Sequence, residues 1–158
     1  MTSRTDRASP PTEGPSEVER PRLLVIDDDT VHRMVICKIG TNTGYDVFGV
    51  ASYEDAARRI REQQYDCITL DLSLGKHAGV EVLRDLRESR CEAPIIIISG
   101  SSEAVSTETV RIGKSFDLNI RNPIPKPVNL AALRQSLIDV RAQIDLRRRS
   151  RLPSQQPA

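Results

Sequence analysis

The chain contains no tryptophan, and aromatic residues make up only 3% of its 158 positions. Single-stranded nucleic acid is usually held by stacking bases on exposed rings, and this sequence lacks the platforms for that. Cysteine is scarce as well: Cys37, Cys67 and Cys91 stand far apart with no CxxC pair. An odd, scattered set builds neither a disulfide framework nor a zinc site, and reads as reduced, buried thiols. Charge of one sign is missing too. Twenty-three Lys and Arg face 22 Asp and Glu, and a formal net charge of +1 excludes a general polyanion-binding surface. No apolar run is long enough to span a bilayer, and the first residues lack the apolar core of a signal peptide. A cytoplasmic protein is expected, with no membrane or nucleic-acid partner. His32 and His77 are the only histidines, and are expected as surface or core residues rather than ligands.

What the chain does have is a series of short aliphatic runs, each ending in a polar residue. Leu23-Leu24-Val25-Ile26 ends at Asp27 and Asp28, and Cys67-Ile68-Thr69-Leu70 ends at Asp71. Pro94 to Ile98 ends at Ser99, and a fourth stretch runs into Lys126-Pro127. Such runs read as buried strands of a parallel sheet. Chemistry in open α/β sheets collects at the carboxyl ends of the strands. Three carboxylates, a hydroxyl and an ammonium are therefore expected on one rim, a set suited to an oxyanion bound through a divalent cation.

Between the runs the period changes to that of helices. Val31, Val35 and Ile39 recur at helical spacing, with Asp29 or Thr30 as N-cap and Gly40 or Gly44 at the exit. Tyr45 to Val50 reads as a second strand. Ser52 with Asp55 resembles a capping box opening a helix through Ala56, Ala57 and Ile60. Gly75 to Gly79 reads as a loop, and Val80, Leu83 and Leu86 mark a third helix. Val105, Ile112 and Phe116 mark a fourth, and Leu118 to Ile124 a short strand. Leu130, Leu133, Leu137, Val140 and Ile144 form the apolar stripe of the last helix. Alternating strands and helices imply a doubly wound five-stranded parallel sheet of flavodoxin-like (βα)5 type, strand order 2-1-3-4-5. Residues 1–20, rich in Pro, Ser, Thr, Glu and Arg, are expected as a disordered tail. Residues 21–146 form the expected domain, and 147–158 a basic, polar tail.

The motifs Leu24-Val25-Ile26-Asp27-Asp28-Asp29, Leu70-Asp71-Leu72-Ser73-Leu74 with Gly79, Ile98-Ser99-Gly100 and Lys126-Pro127 occur in this order at strand ends. Together they resemble the receiver domain of bacterial response regulators, of chemotaxis-regulator type, over Arg22 to Asp145. The resemblance implies a phosphoacceptor, Asp71, charged by a histidine kinase or a histidine phosphotransfer protein. It implies Mg2+ bound by Asp28 directly, by Asp27 mostly through water, by Asp71, and by the backbone carbonyl of Ser73. Oxygen ligands suit Mg2+ better than zinc. Ser99 would hydrogen-bond the phosphoryl group, and Lys126 would pair with Asp71 and then with the phosphate, across a cis Lys126–Pro127 bond.

The pattern departs from the family at two places. Gly75 and Ala78 stand where the loop usually carries a proline and an acidic or amide residue. Pro123 stands where many receivers have an aromatic side chain that turns inward on activation, so readout is expected through the loop Gly100 to Ser102 and the fourth helix. Pro123 and Pro125 fit an edge strand, where a missing N–H costs no ladder bond.

The expected function is a stand-alone receiver that signals by a changed protein-binding surface, with no enzymatic output beyond self-catalysed phosphotransfer and slow autodephosphorylation. One alternative is a phosphatase of haloacid-dehalogenase type. Asp27-Asp28-Asp29-Thr30-Val31 fits its DxDx[TV] motif, with Asp27 as nucleophile and Asp29 as general acid/base. It leaves Asp71 without a role. The other alternative is an interaction module that keeps the fold but is never phosphorylated.

Overall fold

A computed structural model describes residues 19–74, 77–100 and 103–151. Most of the expected N-terminal tail and the end of the C-terminal one lie outside the described residues. The elements are β1 (Arg22–Ile26), α1 (Thr30–Asn42), β2 (Asp46–Val50), α2 (Tyr53–Glu62), β3 (Cys67–Asp71), β4 (Ser73–Leu74), β5 (His77–Ala78), α3 (Gly79–Glu88), β6 (Ile95–Ser99), α4 (Glu103–Ser115), β7 (Ile124–Pro125) and α5 (Leu130–Ser150). The main sheet is parallel and five-stranded, in the order β2-β1-β3-β6-β7. Counting only its own strands, that is 2-1-3-4-5, the flavodoxin-like arrangement expected.

Successive strand residues point to opposite faces, so each aliphatic run divides between two cores. Leu24, Ile26, Ile68, Leu70, Ile95 and Ile97 face Ala56 and Ile60 of α2 and Val82, Leu83 and Leu86 of α3. Leu23, Val25, Cys67, Ile96 and Ile98 face Ile36 of α1 and Leu133, Leu137, Val140 and Ile144 of α5. Both faces being covered is why the runs are continuously apolar rather than alternating. Tyr45, buried beside the second core, donates its hydroxyl to the Leu137 carbonyl at 2.6 Å and ties the start of β2 to α5.

Local signals behave as their chemistry requires. Asp29 caps α1, accepting from the His32 N–H at 2.8 Å, and Ser52 caps α2, accepting from the Asp55 N–H at 3.2 Å. Gly44, at φ +92°, is the left-handed residue that ends α1. Gly40 is inside the helix, where an added Cβ would lie 2.6 Å from Leu23 Cδ2.

Three expectations need correction. The first is the phase of α1. Val31 is 71% exposed and Met34 65%, while Ile36 and Gly40 are buried. The inward line is His32–Ile36–Gly40, because Gly40 lets the helix approach β1 closely. The second is the strand expected over Leu118–Ile124. It is reduced to a bridge at Ile120 and the two-residue β7. Arg121 N donates to Ile95 O at 2.8 Å and Lys126 N to Ser99 O at 3.0 Å. These inward donors differ in parity, so the chain shifts register between them, and Pro123 and Pro125 are exposed on the outer edge. The third is the loop from Gly75 to Gly79, whose flanks pair as an antiparallel hairpin, Ser73 with Ala78 and Leu74 with His77. The expected domain end at 146 falls within α5.

Candidate functional site

Asp27 follows β1, Asp71 and Ser99 close β3 and β6, and Lys126 follows β7 directly. All four therefore lie at the carboxyl edge of the sheet, and the register aligns Asp71 with Ile98 and Ser99 with Pro125. Asp27 and Asp71 are each 1% exposed, and Ser99 is buried. Asp71 accepts the Ser73 N–H on Oδ1 at 2.8 Å, and its Oδ2 makes a close ion pair with Lys126 Nζ. Asp27 accepts the Asp29 N–H on Oδ1 at 2.9 Å, and its Oδ2 contacts His32 Nδ1 closely. Gly100 sits against the Lys126 stem, where an added Cβ would be 3.4 Å from Cδ. The Lys126–Pro127 bond is cis.

The electrostatics follow from this burial. Burial pushes the Asp27 carboxyl above its ordinary pKa; the His32 and Asp29 hydrogen bonds pull it back, and the Asp71 charge pushes it up again. Burial works against the Lys126 ammonium. Its bond to Asp71, with the charges of Asp27 and Asp28, outweighs that and holds its pKa above the usual value. Because Asp27 ionises less readily folded than unfolded, its charge opposes folding once pH exceeds its unfolded pKa, and the penalty is complete above the folded value. Near neutral pH, without divalent cations, Asp27→Asn should therefore stabilise the protein. Urea unfolding measures this, and equal or lower stability would contradict it.

Asp27, His32 and Asp71 each bring a ligand atom within 4.8 Å of the others. This donor set fits a divalent cation, since two buried carboxylates repel until one compensates them. Asp28 is exposed at the rim and stands outside that cluster. Asp29 is exposed and occupied as the α1 cap, so it does not aim a carboxyl into the pocket as the phosphatase alternative requires. Sequence reasoning missed His32. The signal for it was its position four residues before Ile36 and eight before Gly40, one residue out of phase with the more apolar Val31 line.

The model of the response regulator receiver domain family matches residues 23–138, and the chain belongs to that family. Receiver domains are signalling modules of two-component systems rather than conventional enzymes, and generally bind Mg2+ in an acidic pocket. The chain is 31% identical over 112 residues to the cell cycle transcriptional regulator CtrA of Caulobacter vibrioides, covering 71% of this chain but 48% of that regulator. It thus spans about half the length of that curated relative. A CheY-like receiver domain from Methanospirillum hungatei superposes with a TM-score of 0.70 at 22% identity, over 82% of this chain and 99% of that one. A response regulator from Burkholderia pseudomallei, solved with a phosphorylated aspartic acid, a calcium ion and citrate, gives 0.64 at 20% identity over 84% and 75%. Among the described residues, no helix is long and apolar enough to cross a membrane.

Proposed function

We propose that this receiver accepts a phosphoryl group on Asp71 and signals through the surface around α4. The observation that carries the reading is the buried Asp71 carboxylate, ion-paired to Lys126 on the rim that also holds Asp27 and Ser99. An Asp71 oxygen attacks the phosphorus of a phosphohistidine or a small acyl phosphate. A new P–O bond forms as the bond to the leaving group breaks, and the leaving group keeps that electron pair. The donor is a histidine kinase or histidine phosphotransfer protein acting in the cytoplasm. Lys126 then follows the charge from the carboxylate to the phosphoryl oxygens, and the Ser99 hydroxyl donates to one of them. Asp27, Asp28, Asp71 and the Ser73 carbonyl would hold Mg2+, which would supply charge neutralisation on those oxygens.

Supporting α4 as the responding element is its weak anchoring. Over 105–115 it buries only Thr109 and Gly113, and it starts just beyond Ser99 and Gly100. Movement of Ser99 toward a phosphoryl group would draw the Gly100 to Ser102 loop with it, and residues 101 and 102 lie outside those described. Pro123 is exposed on the edge and offers no aromatic ring to turn inward.

The test is phosphate uptake from a small acyl-phosphate donor, with Mg2+ and with EDTA. Uptake should need the cation, and equal uptake in EDTA would sink the reading. Asp28→Ala, which removes a rim carboxylate, should weaken Mg2+ binding about tenfold. Unchanged Mg2+ affinity in a competition titration would remove Asp28 from the site.

A further inference from the structure

One side chain in the pocket has no part in the phosphoryl transfer proposed above. His32 sits on the inward line of α1, four residues before buried Ile36. Its backbone N–H is held by the Asp29 cap at 2.8 Å, which fixes the turn that carries it. Its Nδ1 reaches Asp27, its side chain is 23% exposed, and a ring nitrogen falls within the same 4.8 Å cluster as the Asp27 and Asp71 carboxylates.

We infer that a ring nitrogen of His32 is a direct ligand of the divalent cation in this pocket, and that the site favours a transition-metal ion over Mg2+. This rests on the phosphoacceptor reading and adds to it which ion the pocket selects. Nitrogen ligation strengthens binding of Mn2+, Co2+ and Ni2+ in rising order, whereas Mg2+ keeps oxygen ligands and water. A pocket of two carboxylates and one imidazole therefore discriminates where a pocket of carboxylates and carbonyls would not.

The test uses the full chain and Mn2+ as probe. Electron spin echo modulation of bound Mn2+ should show coupling to a directly ligated 14N nucleus in the wild type and lose it in His32→Ala. The same substitution should lower Co2+ affinity about tenfold, and shift Mg2+ affinity by less than about threefold. The wild-type spectrum needs no variant, so a folding defect in His32→Ala cannot hide the answer. Mn2+ that binds, is lost in Asp71→Asn and shows no 14N coupling overturns the inference and leaves the phosphoacceptor reading intact. Higher Mg2+ affinity in His32→Ala also overturns it, since the ring would then be competing with the cation. Mn2+ binding unaffected by Asp71→Asn would remove both.

Discussion

Asp71→Asn should take up no phosphate above background from a small acyl-phosphate donor. Asn keeps the shape of the side chain and an oxygen to accept the Ser73 N–H, the 2.8 Å bond that orients the carboxylate. It lacks the anionic oxygen that attacks phosphorus, so the loss is chemical rather than structural. The pocket should stay folded, because the substitution also removes one of two buried carboxylates that repel each other. Far-UV circular dichroism checks the fold while phosphate incorporation is measured. Substantial label on a folded Asp71→Asn chain would mean that another residue is the acceptor.

Lys126→Met should produce the largest loss of stability of any single change in the pocket. The ammonium is the close partner of Asp71, and its field also reaches Asp27 and Asp28. Without it, Asp27 and Asp71 remain 1% exposed with their charges less compensated. Breaking a buried pair by removing one partner generally costs 3–5 kcal/mol, and because the Lys126 side chain is 28% exposed we expect about 2 kcal/mol here. The loss should be specific to the pair. In the double variant Asp71→Asn/Lys126→Met most of it should return, because no unmatched Asp71 charge is left. Denaturant unfolding of the four proteins closes the cycle. A Lys126→Met protein as stable as the wild type would show that the ion pair contributes nothing.

The strands and the placement of their polar ends were legible because both signals are local. An aliphatic run reads as a strand covered on both faces, and the polar residue that ends it lands on the carboxyl edge wherever the helices pack. Asp27, Asp71, Ser99 and Lys126 converge for that reason. The α5 stripe, the Ser52 cap and the outward prolines were readable in the same way. The phase of α1 was not. Counting apolar side chains turned α1 toward Val31, Val35 and Ile39. The sheet accepts Ile36 and Gly40 most deeply, with Ile39 only partly buried on the same core, because close approach to Leu23 depends on the absence of a side chain at Gly40. In α4 the expected line kept its phase: buried Thr109 and Gly113 share a face with Val105, Ile112 and Phe116, and Phe116 packs on the first core, while Val105 is 50% exposed near the helix start. The cost of the α1 error was His32, which the correct phase directs into the pocket. The extent of β7 was hidden for another reason: a register shift between Arg121 and Lys126 depends on the β6 partner, not on the residues of that segment.

The most direct test of the central claim is to locate the phosphate. The wild-type chain is treated with a small acyl-phosphate donor in Mg2+, then reduced with borohydride, which converts an aspartyl phosphate to a homoserine residue that proteolysis and mass spectrometry can place. The account predicts one converted residue, Asp71, and none in a parallel sample in EDTA. Conversion at Asp27 or Asp28, stable phosphate on Ser99, or equal conversion without the cation would contradict it.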